Sequence, residues 1–176
     1  MIWNLDASHT NVDFSVKHMG ISTVRGSFKV FSATGETNDA GFPTQLSMEI
    51  DATTVDTNFE QRDGHLKSPD FFDVANFPKI TFVSTKITGV PSELVIVGDL
   101  TIRGVTKSVT LNGELASAMK DPWGLTRTSL NVSGKISRAE FGLTWNQALE
   151  LGGVLVSDEV KLSIEAQATA NVEQAA

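Results

Sequence analysis

The chain has no cysteine among its 176 residues, which excludes disulfides, thiolate metal sites, iron–sulfur clusters and a cysteine nucleophile. Positive charge is also scarce, since 14 lysine and arginine residues stand against 21 aspartate and glutamate residues, for a net charge of −7. Without a basic stripe, neither a nucleic acid nor an anionic membrane surface is the expected partner. No apolar run approaches the ~20 residues that a membrane-spanning helix needs.

The start of the chain lacks a targeting signal. Residues 1–6 contain neither the basic segment nor the apolar segment of a signal peptide. The sequence as it stands therefore predicts a cytoplasmic protein, and a periplasmic one if the chain is a processed form. No linker or low-complexity tract interrupts the chain, so we expect a single domain over residues 1–176.

The dominant pattern is an alternation of apolar and polar residues with a period of two. Between Thr10 and His18, the side chains of Val12, Phe14 and Val16 share one face with His18. Comparable segments occur at 24–32, 45–51, 79–82, 94–102, 105–115, 126–136 and 159–168. Such alternation is typical of half-buried antiparallel strands, so the sequence predicts an all-β fold of about eight strands. Closure into a barrel and stacking into a sandwich both satisfy this pattern.

One segment departs from the alternation and predicts a short helix over residues 57–66. Thr57 and Glu60 have the spacing of a capping box, in which the two side chains bond to each other's backbone at a helix start. Pro69 prevents the helix from continuing. We expect this helix to cap one end of the sheet.

The residues that most often carry chemistry form no convincing catalytic or metal-binding set. His9 and His18 are nine positions apart, so an unbroken strand would point them to opposite faces. His18 is interpreted as a hydrogen-bonded residue at the sheet rim or as a polar anchor for a ligand, and His65 as a polar contact at the helix end. No phosphate-binding loop or nucleophile elbow occurs. The sequence therefore predicts no catalytic residue and no metal ligand.

Nine short stretches carry a resemblance to a known family. They follow one another at residues 3–9, 14–20, 24–28, 62–68, 71–73, 77–82, 98–107, 138–143 and 156–160. The most distinctive is Gly98-Asp99-Leu100-Thr101-Ile102-Arg103-Gly104-Val105-Thr106-Lys107. Together they resemble the YceI-like family.

The resemblance implies an extended, eight-stranded, antiparallel, lipocalin-like barrel around a long apolar tunnel. It also implies a polyisoprenoid or similar lipid chain in that tunnel, and a homodimer, since members of the family are often dimeric. Trp123 and Trp145 near strand ends, and Phe31 on the predicted outer face of its strand, are candidate interface residues. Many relatives carry an export signal, which this sequence does not show.

The barrel and the alternation together predict a set of ligand-binding residues. With His18 as a polar contact, the tunnel is expected to be lined by Phe14, Val16, His18, Phe28, Val30, Phe59, Leu66, Phe71, Ile80 and Phe82. Gly26, Gly98 and Gly113 fall on inward faces, where a missing side chain either leaves room for a ligand or relieves a tight bend.

The functional hypothesis is non-enzymatic carriage or sequestration of a long-chain isoprenoid or fatty-acid-type lipid. One alternative is a structural or interaction barrel with a filled core and no ligand. Another is an enzyme that acts on a lipid, with His18 or His65 as the acid–base group. The sequence leaves transport, storage and a stress-related role open.

Overall fold

Antiparallel strands build almost all of the fold. The computed structural model describes residues 1–170, so residues 171–176 of the predicted domain lie outside the described part. The helix α1 spans Glu60–Lys67, and short 3-10 turns lie at Ala7–His9, Ala52–Thr54 and Ala139–Phe141. The strands are β1 (Ile2–Leu5), β2 (Asn11–His18), β3 (Ser22–Phe28), β4 (Phe31–Thr37), β5 (Pro43–Asp51), β6 (Val55–Asp56), β7 (Lys79–Val90), β8 (Glu93–Ile102), β9 (Val105–Leu115), β10 (Met119–Lys120), β11 (Thr126–Ser137) and β12 (Val156–Ala170).

The strands close into a barrel. The hydrogen-bonded order β1-β4-β5-β7-β8-β9-β11-β12 returns to β1, because β12 pairs with both β11 and β1. β1 and β2 pair with the same edge of β12. β1 pairs with it at residues 168–169, and β2 pairs with it at residues 156–165. β1 and β2 therefore lie end to end along that edge. On their other side, β1 pairs with β4 and β2 pairs with β3. The predicted all-β, eight-stranded antiparallel lipocalin-like barrel with one short helix is confirmed.

The strand predicted at 24–32 is interrupted in its second half. The N–H groups of Lys29 and Val30 both donate to the Oγ1 atom of Thr54, each over 3.1 Å, instead of to a neighbouring strand. The break shifts the alternation by one residue, so Phe31 packs against the buried core and Val30 is 56% exposed. The predictions that Val30 faces the interior and that Phe31 faces outward are both wrong for this reason.

The helix begins later than the capping-box spacing indicates. The carboxylate of Asp63, rather than that of Glu60, accepts the backbone N–H and the hydroxyl of Thr57. Phe59 consequently precedes the helix in extended backbone and is 54% exposed, so it does not face the barrel interior as predicted. No helix within residues 1–170 has both the length and the apolar character needed to cross a membrane.

The buried apolar residues form two clusters, one packed toward each end of the barrel. One lies at the end covered by α1, which we call the helix end, and includes Phe28, Phe71 and Phe141. The other lies toward the opposite end, which we call the far end, and contains Leu94, Ile96 and Leu111. The packed core is thus divided between the two ends.

A polar network ties β1 across β12 to β11. The carboxylate of Asp6, at the end of β1, accepts hydrogen bonds from the hydroxyl of Ser8 at 2.6 Å and from Nη1 of Arg127 at 2.7 Å. Nε of Arg127 also donates to Asp121 at 2.7 Å. The hydroxyl of Ser8, the guanidinium of Arg127 and the ring of His9 hold the pKa of Asp6 well below its usual range.

We expect Asp6→Asn to lower the free energy of unfolding at pH 7 by about 1 kcal/mol, because charge-assisted hydrogen bonds at a partly exposed site are lost. A lowered carboxyl pKa stabilises the fold above the unfolded-state pKa of about 4 and loses that contribution in acid. The difference between wild type and variant should therefore shrink below about pH 4 in urea titrations. Asp39→Asn, at an exposed turn residue, is the control. A difference that stayed constant with pH would contradict this account.

Candidate functional site

The interior of the barrel is hollow. A cavity of about 690 Å³ extends from Arg62 and His65 at the helix end to Pro43, Pro91 and Ala118 at the far end. Its lining on β12 runs from Val156 to Ala168, or roughly 40 Å of strand at about 3.3 Å per residue. The volume falls in the range of roughly 300–1,000 Å³ that is typical of small-molecule sites.

Alternate residues of the strands form the apolar wall. On β12, the residues that face the cavity are Val160, Leu162, Ile164, Ala166 and Ala168, and each of them is only half-buried. Side chains that met those of the opposite wall would be fully buried, as Leu94 and Ile96 are. The half-burial therefore shows that the opposing walls do not pack together along this strand.

Two phenylalanine rings lie against the wall because glycine faces them on the next strand. Phe14 pairs with Gly26 across β2 and β3, and its ring occupies the space that a Cβ atom on Gly26 would need. The ring of Phe82 covers Gly98 in the same way. At Gly113, the space is taken by Cδ1 of Ile96, 2.8 Å from where a Cβ would stand. The glycines thus make room for neighbouring side chains, which keeps the two rings close to the wall.

Aromatic and basic side chains gather at the helix end. The ring of His65 makes edge-on contacts with Phe71 and Trp145, with ring centres 5.0 and 4.8 Å apart, and its Nε2 lies 2.9 Å from Asp70. One helical turn earlier, Arg62 donates from Nε to the hydroxyl of Thr57 and from Nη2 to its carbonyl, each over 2.8 Å. Both Arg62 and His65 line the cavity.

Arg138 organises the backbone behind this cluster. Its guanidinium donates to the carbonyl oxygens of Leu143 at 2.7 Å, Trp145 at 2.8 Å, Ser157 at 2.8 Å and Val156 at 3.2 Å. These bonds hold the segment after β11 against the start of β12. The residue is 7% exposed, and burial lowers the pKa of its guanidinium, an effect that Asp158 partly offsets.

The side chains that face into the far end are uncharged, and Glu36, which also borders it, is exposed and faces outward. Nε1 of Trp3 donates to the hydroxyl of Thr37 at 3.0 Å, and both residues border the cavity. Thr128 and residues 116–118 also border this part of the cavity. The wall of the cavity is therefore apolar between the two ends. Basic side chains face into it at the helix end and not at the far end.

Comparison with known proteins identifies the family. The family model for the YceI-like domain matches residues 3–168. The chain belongs to the YceI-like family. A UPF0312 protein of Staphylococcus aureus strain USA300 is 38% identical over 167 residues, which cover 94% of this chain and 95% of the relative.

Solved structures of the YceI-like family and its fold agree with the barrel. The YCEI protein of Campylobacter jejuni is 32% identical, with a TM-score of 0.77 over 95% of this chain and 96% of that one. A polyisoprenoid binding domain from Saccharophagus degradans has a TM-score of 0.67 over 96% of this chain and 98% of that one. At 18% identity, that second likeness shows a shared fold.

Most of the residues predicted to line the tunnel border the cavity of this YceI-like barrel. They are Phe14, Val16, His18, Phe28, Leu66, Phe71, Ile80 and Phe82. Val30 and Phe59 lie elsewhere, for the reasons given with the fold. The sequence reasoning missed the lining residues of β11 and β12 and the basic residues Arg62 and Arg138. The alternation of Leu130 with Val132 and of Leu162 with Ile164 was the available signal for the strands. That any of these residues binds a ligand stays a prediction.

We expect Gly98→Ala to lower the free energy of unfolding by about 1–3 kcal/mol, because the added methyl group would overlap Phe82 and the carbonyl of Val83. Gly26→Ala should cost less, since only the Phe14 ring is in the way and it can turn into the open cavity. Gly64→Ala in α1, where no atom lies within 4 Å of the new Cβ, is the matched control and should stabilise the protein slightly. Equal stabilities of the three variants in urea titrations would contradict this packing.

Proposed function

We propose that this protein carries or sequesters a long-chain lipid, of the isoprenoid or fatty-acid type, inside its barrel, without covalent chemistry. The observation that supports the proposal most directly is the continuous cavity of about 690 Å³ with half-buried apolar walls. A wall of this kind gains free energy when a ligand removes it from water. A barrel whose core is filled, the first alternative, is not compatible with that cavity.

The energetics favour a long chain over a short one. Each methylene group taken out of water contributes about 0.8 kcal/mol, so ten of them contribute about 8 kcal/mol. Immobilising a ligand costs an estimated 4–15 kcal/mol, so a short chain would bind weakly. Because the lining extends over the length of β12, a long chain can bury many such groups at once.

A relative supports the same class of ligand. The structure from Saccharophagus degradans is named as a polyisoprenoid binding domain, and it shares this fold. We propose no catalytic residue, and His18 serves as a polar contact near the helix end. His65 packs against two aromatic rings and an aspartate, an arrangement that holds the ring in place.

We expect organic extraction of the purified protein, followed by mass spectrometry, to release a long-chain lipid. Ala166→Phe should reduce the amount of lipid per protein at least several-fold, because the new ring would occupy the cavity next to the apolar wall. Ser163→Phe is the matched control, since position 163 lies on the outer face of β12 and its ring would leave the cavity unchanged.

Absence of lipid from wild-type protein produced under several growth conditions would contradict the proposal. Equal lipid content in the two phenylalanine variants would also contradict binding inside the barrel. Circular dichroism of both variants checks that they have folded.

We also propose that the protein is a homodimer, as the family resemblance implies. Of the three candidate interface residues, Phe31 packs inward and Trp145 borders the cavity, whereas Trp123 is 81% exposed. Light scattering coupled to gel filtration should give about twice the chain mass of 18.9 kDa. A mass equal to that of one chain at micromolar concentration would contradict the dimer.

A further inference from the structure

The ionisable side chains that face into the cavity are all basic. His18, Arg62, His65 and Arg138 border it at buried or half-buried positions, and each is basic. Lys17 also borders it, but it is exposed and occupies an outward position of β2. Two carboxylate residues also border it, but Asp13 and Glu36 are exposed and occupy the outward positions of their strands. The inward positions beside them belong to apolar residues. In the part of the chain that the structure describes, the lumen therefore contains basic groups without an inward-facing carboxylate.

The four basic residues lie at one end of the barrel. His18 pairs with Val156 across β2 and β12, and Arg138 donates to the carbonyl of that same valine. Arg138 also donates to the carbonyl of Trp145, whose ring contacts His65. Arg62 lies one helical turn before His65 on α1. These contacts place all four at the helix end, whereas the carboxylate residue that borders the far end, Glu36, faces outward.

Among the described residues, the two arginines of this group differ from His65 in having no ion pair. His65 is paired with Asp70 at 2.9 Å, but neither Arg62 nor Arg138 takes part in an ion pair within residues 1–170. Asp63, beside Arg62, is engaged by Thr57, and Asp158 accepts the backbone N–H of Ala139. The buried guanidinium of Arg138 is held by carbonyl oxygens, and Asp158 offsets its charge only in part. A buried charge without an ion pair is costly.

We propose that the lipid held in the barrel is an acidic amphiphile. Its carboxylate or phosphate group lies at the helix end beside Arg62 and Arg138, and its apolar chain extends toward Trp3. This inference rests on the proposed lipid-binding function and adds the charge and the direction of the ligand.

The hydrogen-bonding pattern of Arg62 suits this role. Its Nε and Nη2 atoms are held by Thr57, which fixes the plane of the guanidinium, and Nη1 forms none of these bonds. A fixed guanidinium is well matched to the oxygens of a carboxylate or phosphate group. An acidic head group would also supply the negative charge that the two arginines lack. A neutral head group could accept a hydrogen bond but would leave both arginines without an ion pair, and a cationic head group would be repelled.

The test compares ligands that share one chain and differ in the head group. Farnesol, farnesoic acid and farnesyl phosphate are titrated into delipidated protein by calorimetry at neutral pH. We expect the two acidic ligands to bind at least about tenfold more tightly than the alcohol, as expected for charge-assisted hydrogen bonds in a partly buried site. In Arg62→Gln this preference should fall several-fold, and in Arg62→Lys, which keeps the charge, most of it should remain.

Arg25→Gln is the matched control, because it also removes one positive charge but from an exposed position on β3 that does not border the cavity. Its preference for acidic ligands should equal that of wild type. Inorganic phosphate at millimolar concentration should not displace farnesyl phosphate. Displacement would indicate a site for free phosphate and would overturn the proposal of an amphiphile.

Equal affinities for the alcohol and the acids would overturn the acidic head group and leave the lipid-binding function in place. Failure of all three ligands to bind to delipidated, folded protein would overturn the proposed function itself, together with this inference. A loss of preference in Arg25→Gln as large as that in Arg62→Gln would show a general effect of net charge and would also contradict the assigned position.

Discussion

Closure of the strand ring is the constraint on which the rest of the structure depends. β12 pairs with β11 along one edge and with β1 and β2 along the other, so each strand of the eight-stranded ring has a hydrogen-bonded neighbour on both sides. A closed barrel has no unpaired edge, and its backbone is satisfied without contact across the lumen. The centre can therefore stay unfilled while buried groups at the helix end and far end provide apolar packing.

Local packing keeps the interior open, and basic side chains at the helix end make the two ends of the cavity different. Gly26 and Gly98 accept the rings of Phe14 and Phe82 against the wall, which leaves the middle of the lumen free. At the helix end, Arg138 holds the chain between β11 and β12 in place through four carbonyl oxygens. The same contacts put a buried positive charge beside the cavity. A structural role and a role in ligand orientation thus coincide in one side chain.

The strands and the barrel could be predicted from the sequence, because alternation and the family resemblance are local signals. The predictions for Val30 and for the start of the helix were wrong because each backbone N–H there bonds to a side chain that the local pattern did not indicate. Thr54 accepts the N–H groups of Lys29 and Val30 and interrupts the strand there, and Asp63 rather than Glu60 accepts the N–H of Thr57. β4 was missed because its inward positions after Phe31 are small, at Ala33 and Gly35, and give a weak apolar pattern. Alternation is the same for a filled and a hollow barrel, so the tunnel was expected from the family resemblance and not from the pattern. The basic end became visible only in the structure, because its residues come from distant parts of the chain.

The most direct test of the central claim is a crystal structure of protein purified from cells without added lipid. We predict continuous, elongated electron density inside the barrel, running from the aromatic cluster of Phe71 and Trp145 toward Trp3. A lumen that held only ordered water, or walls that had collapsed onto each other, would contradict the account.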